Sequence, residues 1–335
     1  MQIKNKLTEL LQIQFPVIMA PMFLVSNEEM MACAMKSGIM GVFPSLNFRK
    51  KEEFASLLDK LNVLKLNGHN RGSYGVNLIV QKTNPLYEEH LKICMEKKVP
   101  FYITSLGNPQ EVIDKAHAYG AKVFCDLTNI GHAKKCHGHG CDGFIAVGQG
   151  AGGHAGPFPL QILVPSLHKH FPDTPIIAAG GIASGEGILS MLALGAEGVS
   201  IGTCFIASKE ASVSQAYKDA IVNAEMQDIV LTTKISGTPC NIINTPYAKE
   251  IGYTQNWFEK LLSTSKITKK YFKMLVQLKG MKRLESSVKK GNYQNLWSAG
   301  QSVELVNDIK PCGEIIEGLM KETFEGFNKL TINIK

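Results

Sequence analysis

The sequence of 335 residues is poor in charge, contains only two tryptophans and has no long apolar run. Charged residues make up 19% of the chain and the mean hydropathy is close to zero, which excludes an intrinsically disordered protein. No stretch approaches the roughly 20 consecutive apolar residues of a membrane-spanning helix. The segment 1–9 is polar, with mixed charge and no signal-peptide core. We therefore expect a cytoplasmic protein.

Two features suggest special chemistry, but their patterns do not support it. The net charge of +7 arises largely from residues 260–290, where no aromatic platform is interleaved with the lysines, so we expect a solvated helical face and no nucleic-acid binding. The spacing of His132, Cys136, His137, His139 and Cys141 fits no standard zinc pattern, and we expect no metal. The eight cysteines are scattered, as expected for reduced thiols in apolar positions.

The first 209 residues predict a (β/α)8 TIM barrel. Short apolar runs alternate with amphipathic helical patterns at about 25 residues per unit, which indicates parallel strands buried on both faces. The predicted strands cover residues 16–22, 41–44, 74–79, 101–105, 122–127, 143–147, 175–179 and 198–201. The predicted helices cover residues 27–35, 49–64, 84–97, 109–119, 130–138, 160–170 and 185–194.

The alternation ends near Lys209. Residues 228–233 resemble a strand, and the lysine-rich stretch 246–290 has a helical pattern. We predict a second, mainly helical domain over residues 210–300 that covers the carboxyl face of the barrel. Residues 301–335 predict a C-terminal helix that packs back on the barrel.

Glycine-rich turns follow three consecutive strands. Residues 146–156 contain five glycines and His154, and the next two strands end in Gly180-Gly181 and Gly202-Thr203. The carboxyl ends of barrel strands hold ligands, and amides after the last two strands commonly bind phosphate. No Walker-type lysine is present, so neutral amides would bind the phosphate. Flavin mononucleotide (FMN) and a sugar phosphate fit this pattern equally well.

Other strand ends supply candidate site residues. Asn77 offers an amide to a ring, or else satisfies its own turn; Met22 offers a thioether, and Asp126 a carboxyl group. His154 is the histidine best placed as a general acid or base near neutral pH, the alternative being a solvent-facing side chain in a mobile loop.

These motifs together resemble the nitronate monooxygenase family, once called 2-nitropropane dioxygenases. Flavin-type enoyl-acyl-carrier-protein reductases and an NADH:quinone reductase branch share the scaffold. The resemblance covers nearly the whole chain and includes the Ser236-Gly237 element with Asn244. It is carried by residues 20–22, 75–78, 151–156, 178–182, 201–205 and 296–302.

The resemblance implies an FMN-binding TIM barrel with His154 as the catalytic base. The residues that it implies for FMN are Met22, Asn77, Gly152, Gly181, Gly202, Thr203 and Gln301. To these the strand-end turns add Ala20, Pro21, Gln149, Ala151 and Gly180.

The expected activity is oxidation of alkyl nitronates with O2. The alternatives are an NAD(P)H-dependent reductase of quinones or enoyl thioesters, and a non-enzymatic flavin- or phosphate-binding barrel. Val147, Gly150 and the Cys240-Asn241 pair depart from the family pattern and weaken the choice of substrate, since they are expected to remove polar contacts. We expect a small-molecule substrate, and a homodimer is compatible with the sequence.

Overall fold

The predicted barrel is present in a computed structural model, which describes residues 2–66, 71–81, 83–235, 237–254 and 295–333. Eight parallel strands close on themselves, because the last strand pairs with the first, with Met19 opposite Ile201. In spatial order the strands are β1 (Val17–Met19), β2 (Met40–Pro44), β3 (Ser73–Ile79), β4 (Phe101–Ser105), β5 (Lys122–Leu127), β6 (Gly143–Val147), β8 (Ile176–Ala179) and β9 (Gly198–Ile201), while β7 (Gly153–His154) lies outside the barrel.

Helices connect the strands, as predicted. Three of them begin where an Asn or Ser side chain accepts a hydrogen bond from the amide three residues later: Asn27, Asn129 and Ser184. After α1 (Lys6–Leu11), the helices are α2 (Glu28–Lys36), α3 (Lys51–Leu66), α4 (Tyr87–Glu96), α5 (Gln110–His117), α6 (Ile130–Gly138), α7 (Leu160–His170), α8 (Gly185–Ala193) and the short α9 (Thr203–Ile206). The fold class predicted from the sequence is confirmed.

The bottom of the barrel is filled by α1, which the sequence reasoning missed. Asn5 and Thr8 form a capping box, with each side chain accepting a hydrogen bond of 3.0 Å from the other residue's amide. Leu7 and Leu11 are buried against inward-facing strand residues such as Phe101. The polarity of residues 1–9 concealed this helix, although three of its six residues are buried.

A small antiparallel sheet lies beside the barrel. It includes part of the loop 148–156 that follows β6 and carries His154, which we call the histidine loop. Its order is β10 (Ile229–Thr232), β11 (Cys240–Ile243) and β7. Cys240 pairs with His154, and Asn241 pairs with Gly153. The strand-like pattern of 228–233 corresponds to β10, whereas β11 and β7 were not predicted.

Three further helices complete the described chain: α10 (Gln215–Asn223), α11 (Pro246–Ile251) and α12 (Cys312–Asn333). The greater part of the predicted helical stretch 246–290 lies outside the described residues. On the outside of the barrel, α12 packs against α2 and α8. The amide of Gly185, at the start of α8, donates to Glu322 Oε2 of α12 at 2.8 Å. Across the described ranges, no helix combines the length and apolar character needed to cross a bilayer.

Candidate active site

The floor of the barrel mouth is polar on one side and apolar on the other. Ile103, Phe124, Ile145 and Ile177 fill the barrel interior. Since alternate strand residues share a face, the residues two positions later also face inward and form the upper layer. These residues are Ser105, Asp126, Val147 and Ala179. The floor thus offers hydroxyl and carboxyl groups at β4 and β5, and apolar side chains at β6 and β8.

A hydrogen-bonded line crosses the polar side of this floor. Asn77 on β3 is buried, and its Nδ2 donates to the backbone oxygen of Ile103 at 3.1 Å and to Ser105 Oγ at 2.8 Å. Ser105 Oγ in turn donates to Asp126 Oδ2. Burial raises the pKa of Asp126 to about 6, and the hydrogen bond from Ser105 opposes this shift. We call Asn77, Ser105 and Asp126 the floor relay.

The histidine loop touches the loop after β8 mainly through backbone atoms. A Cβ added to Gly150 would lie 3.1 Å from Gly181 Cα. A Cβ added to Gly180, whose φ is +117°, would lie 2.6 Å from the amide nitrogen of Ala151. These contacts leave no room for a side chain, so close packing of the two loops requires glycine here.

The segment 299–300 packs on the same loop from the other side. A Cβ on Gly152 would lie 2.7 Å from the amide nitrogen of Gly300. That amide donates to Thr203 Oγ1 at 3.1 Å, which connects the segment to the end of β9. Gln301 follows directly and is exposed. Upstream, Tyr217 donates to the backbone oxygen of Ser298 at 2.6 Å and anchors this segment.

Three amides at the ends of β8 and β9 are left for a ligand. Within the described part of the chain, the amides of Gly180, Gly181 and Gly202 donate to no backbone or side-chain acceptor. The space beside two of them is open: a Cβ on Gly181 would meet only Gly150 Cα, at 3.7 Å. A Cβ on Gly202 would lie 3.6 Å from both Ala20 Cβ and Met22 Sδ.

The start of α8 is not part of this donor set. Glu322 already supplies a carboxylate to its first amide, at Gly185. A helix N-terminus favours an anion, and here a side chain of α12 provides that anion. The glycine turns after β8 and β9 are therefore the candidate donors for an anion.

His154 lies at the rim of the mouth and is exposed. Its strand β7 pairs with β11, which contains the buried Asn241. The Nδ2 of Asn241 donates to the backbone oxygens of Gln149 and Ala151, each at 2.8 Å. Sequence reasoning considered Cys240-Asn241 only for contacts near a flavin or a substrate. In the structure, Asn241 makes two contacts that hold the histidine loop.

Most of the site residues predicted from the sequence lie at the carboxyl ends of the barrel strands. Ala20, Pro21 and Met22 follow β1 near Gly202. Gln149, Ala151 and Gly152 belong to the loop that touches Gly180 and Gly181. Thr203 and Gln301 are linked through Gly300, and Asn77 lies in the floor. Sequence reasoning missed Ser105 and Asn241. The inward register of β4 could have indicated Ser105.

The histidine and cysteine cluster of α6 forms no metal site in the described structure. His139 Nδ1 lies 2.6 Å from Gln110 Oε1, and the His137 ring packs on Phe171. No three His, Cys, Asp or Glu side chains in the described ranges are grouped so that they could hold an ion.

The chain matches a protein-family model and several known proteins. The family model for nitronate monooxygenase matches residues 59–322. A probable nitronate monooxygenase of Staphylococcus aureus (strain Newman) is 29% identical over 292 residues, covering 74% of this chain and 80% of the relative. The (3aS,4S,5R,7aS)-5-hydroxy-7a-methyl-1-oxo-octahydro-1H-indene-4-carboxyl-CoA dehydrogenase of Rhodococcus jostii RHA1 is 26% identical over 356 residues, covering 98% of both chains.

Solved structures show the same architecture. FabK from Thermotoga maritima superposes with a TM-score of 0.84 at 29% identity, covering 99% of this chain and 100% of that chain. A nitroalkane oxidase from Streptomyces ansochromogenes has a TM-score of 0.80 at 23% identity, covering 97% of this chain and 100% of that chain, and shares the fold.

The barrel, the site at its mouth and these matches define the chain as a (β/α)8-barrel oxidoreductase. It belongs to the nitronate monooxygenase family, whose members are flavoproteins.

Proposed function

We propose that this protein is an FMN-dependent oxidoreductase that oxidises alkyl nitronates with O2. The observation that carries the proposal is the set of unpaired amides at Gly180, Gly181 and Gly202, which lie at the ends of neighbouring strands beside the loop that carries His154. Below them, the floor of the mouth is half polar and half apolar. Neutral amides suit a phosphate, and a floor of this kind suits a flat ring with one polar edge.

The residues present fit FMN. The amides of Gly180, Gly181 and Gly202 would hold its phosphate, with Thr203 and Gln301 beside them. Met22 and Ala20 would contact the ring from β1, and Asn77 would meet its polar edge. Bound flavin supplies the transfer of electrons from the substrate to O2.

In this proposal, the protein's own chemistry is proton transfer and positioning. His154 takes a proton from the carbon next to the nitro group when the substrate arrives as a neutral nitroalkane, and it stabilises the anion when the substrate arrives as a nitronate. Residues 1–209 would bind FMN, residues 210–300 would cover the substrate, and residues 301–335 would support the barrel from outside.

The test compares the two forms of one substrate. Purified protein should be yellow, and it should consume O2 with propyl-2-nitronate in the absence of NAD(P)H. His154→Asn should keep its flavin and lose roughly 10²–10⁴-fold in rate with neutral 2-nitropropane, with a smaller loss for the nitronate, because only the nitroalkane must lose a proton.

His170→Asn is the control, because His170 is an exposed residue in the last turn of α7, whose Nδ1 contacts the backbone oxygen of Ser166. It should match the wild type. An absence of O2 consumption with the nitronate would reject the proposal, and loss of flavin from His154→Asn would make His154 a structural residue.

A second function is supported by the end-to-end match to a carboxyl-CoA dehydrogenase. In this alternative the substrate is an acyl thioester, and His154 moves a proton at the carbon next to the carbonyl group. Under argon, flavin bleaching by NADH or by an acyl-CoA, with none by the nitronate, would favour this function.

A further inference from the structure

We propose that Ser105 and Asp126 are positioning residues, which fix the side-chain amide of Asn77 so that its Oδ1 accepts a hydrogen bond from the ring of the bound flavin. The inference rests on the proposed function and extends it to two residues outside the family motifs. It stands on the geometry of the floor relay.

The relay has a direction, which a single carboxylate sets. An ionised carboxylate only accepts hydrogen bonds, so Asp126 takes the one hydroxyl hydrogen of Ser105. Ser105 is then left to accept from Asn77, and its Oγ does so at 2.8 Å. Without the carboxylate, the serine hydroxyl could donate to Asn77 and the amide could turn over.

The second hydrogen of the amide is fixed by the strand itself. Asn77 Nδ2 also donates to the backbone oxygen of Ile103, its register partner on β4, and this group can only accept. Both amide hydrogens are thus used inside the barrel wall. The Oδ1 of Asn77 accepts from no described residue, so it is open to a donor from a bound ligand.

A flavin ring meets this requirement. Its pyrimidine ring carries an N–H group flanked by two carbonyls, and a fixed acceptor in the floor would recognise that group. The phosphate donors lie on the other side of the mouth, at β8 and β9. Ring recognition and phosphate recognition are therefore carried by separate residues and can be measured separately.

The charge state of Asp126 is set by its burial and by its hydrogen bond with Ser105, because the titratable groups beside it stay neutral. Burial raises its pKa to about 6, so the carboxyl group is ionised at neutral pH and protonated below it. Ser105 on β4 donates to it, and Cys136 on α6 is a nearby titratable group, whose thiol stays neutral because its pKa is raised. Cys125 on β5 is also neutral, with its pKa raised to about 12.

The experiment measures how tightly the apoprotein binds FMN and riboflavin, by quenching of flavin fluorescence. Ser105→Ala should weaken both flavins by the same factor, about threefold to tenfold, because the loss concerns the ring and not the phosphate. Ser105→Thr keeps the hydroxyl and should restore wild-type affinity. Asp142→Asn alters a carboxylate beside Lys122, at the amino-terminal end of the barrel strands, and should change neither affinity.

A second readout needs no flavin. The side-chain amide signals of Asn77, observed in ¹⁵N-asparagine-labelled apoprotein and assigned by their loss in Asn77→Ala, should shift in Ser105→Ala and stay unchanged in Asp142→Asn. In the wild type, riboflavin affinity should fall as the pH drops through 6, because protonation of Asp126 removes the carboxylate that orients Ser105. In Asp126→Asn, this fall should be absent.

The outcomes separate the two proposals. If wild-type protein binds flavin and Ser105→Ala binds riboflavin equally well, the positioning role is overturned and the proposed function stands. A loss confined to FMN would also overturn it, since the phosphate site would then be responsible. If wild-type protein binds neither flavin, the proposed function fails together with the ring contact, even if the amide signals still reveal the relay.

Discussion

At the scale of single residues, Asn241 is the side chain that holds the histidine loop in place. It is buried, lies opposite Gly153 in the small sheet, and donates to the backbone oxygens of Gln149 and Ala151. Two carbonyl groups in a glycine-rich loop thereby obtain their partner from one amide. The position of His154 depends on this contact, because His154 belongs to the same loop.

We expect Asn241→Ala to loosen this loop without unfolding the barrel. Leaving two loop carbonyls without their donor costs about 1–3 kcal/mol, and the loop should respond first because its glycines have no side chains to pack. Hydrogen exchange of residues 149–154, followed by mass spectrometry, should accelerate at least tenfold, and turnover should fall.

Asn223→Ala is the matched control, since Asn223 also donates from Nδ2 to a backbone oxygen, that of Asp219, but on the surface of α10. It should leave the exchange of the histidine loop unchanged. Equal behaviour of the two variants would refute the role of Asn241.

The sequence indicated some site residues and concealed others, for a physical reason. Asn77 lies in an apolar strand and His154 in the glycine-rich turn that follows one, and these positions alone predict a place near the mouth. The role of Ser105 depends on which residues of β3 and β5 lie beside it. Asn241 reaches a loop about 90 residues earlier in the chain, through an antiparallel pairing that no local pattern encodes.

At the scale of elements, the contact between α8 and α12 joins the C-terminal helix to the barrel. The first amide of α8 at Gly185 donates to Glu322, and Thr323 Oγ1 donates to the backbone oxygen of the same glycine at 3.4 Å. The approach is so close that a Cβ on Gly185 would lie 2.2 Å from the amide nitrogen of Thr323.

We expect Gly185→Ala to displace α12 and to lower the free energy of unfolding by about 1–3 kcal/mol, as overpacking does in a closely packed contact. Gly318→Ala, on α12 itself, meets nothing within 4 Å and should be neutral or stabilise the helix by up to about 1 kcal/mol. Urea denaturation of the two variants measures the difference. Similar midpoints would show that the contact yields at little cost.

Elements buried on both faces were predicted well, and elements defined by distant partners were not. The predicted bounds of β4, β5, β6 and α7 agree with the structure, because apolar runs and caps mark them locally. The helix α1 was missed, because it has only six residues and half of them are polar.

At the scale of the whole molecule, Asp126 makes the stability of the fold depend on pH. Burial raises its pKa to about 6, above the value that an unfolded chain gives an aspartate. The folded state therefore binds more protons than the unfolded state between about pH 4 and 6, and stability falls as the pH rises through this window.

We expect Asp126→Asn to remove this loss. Between pH 4 and pH 8, the free energy of unfolding of the variant should rise relative to that of the wild type by on the order of 2 kcal/mol. Urea titrations of the apoproteins at a series of pH values measure this difference. Parallel curves for the two proteins would mean that the carboxyl group titrates normally.

The barrel as a whole could be predicted because each of its strands is hydrophobic on both faces and each is followed by a helix. The small sheet could not, since β7 has two residues and its partner β11 follows about 85 residues later. The same limit applies to the site: the strand ends were predictable, and the contacts between loops were not.

The loops after β6 and β8 and the segment 299–300 meet main chain to main chain, with no side chain between them to absorb a change. The loop after β6 touches both of the others, so a larger residue at Gly150 or Gly152 would push on the loop after β8 or on the segment 299–300. New substrate preferences should therefore arise elsewhere around the mouth, at inward side chains outside the floor relay, such as Val147 on β6 and Ala179 on β8. Libraries built for altered specificity should diversify those positions and leave the glycines fixed.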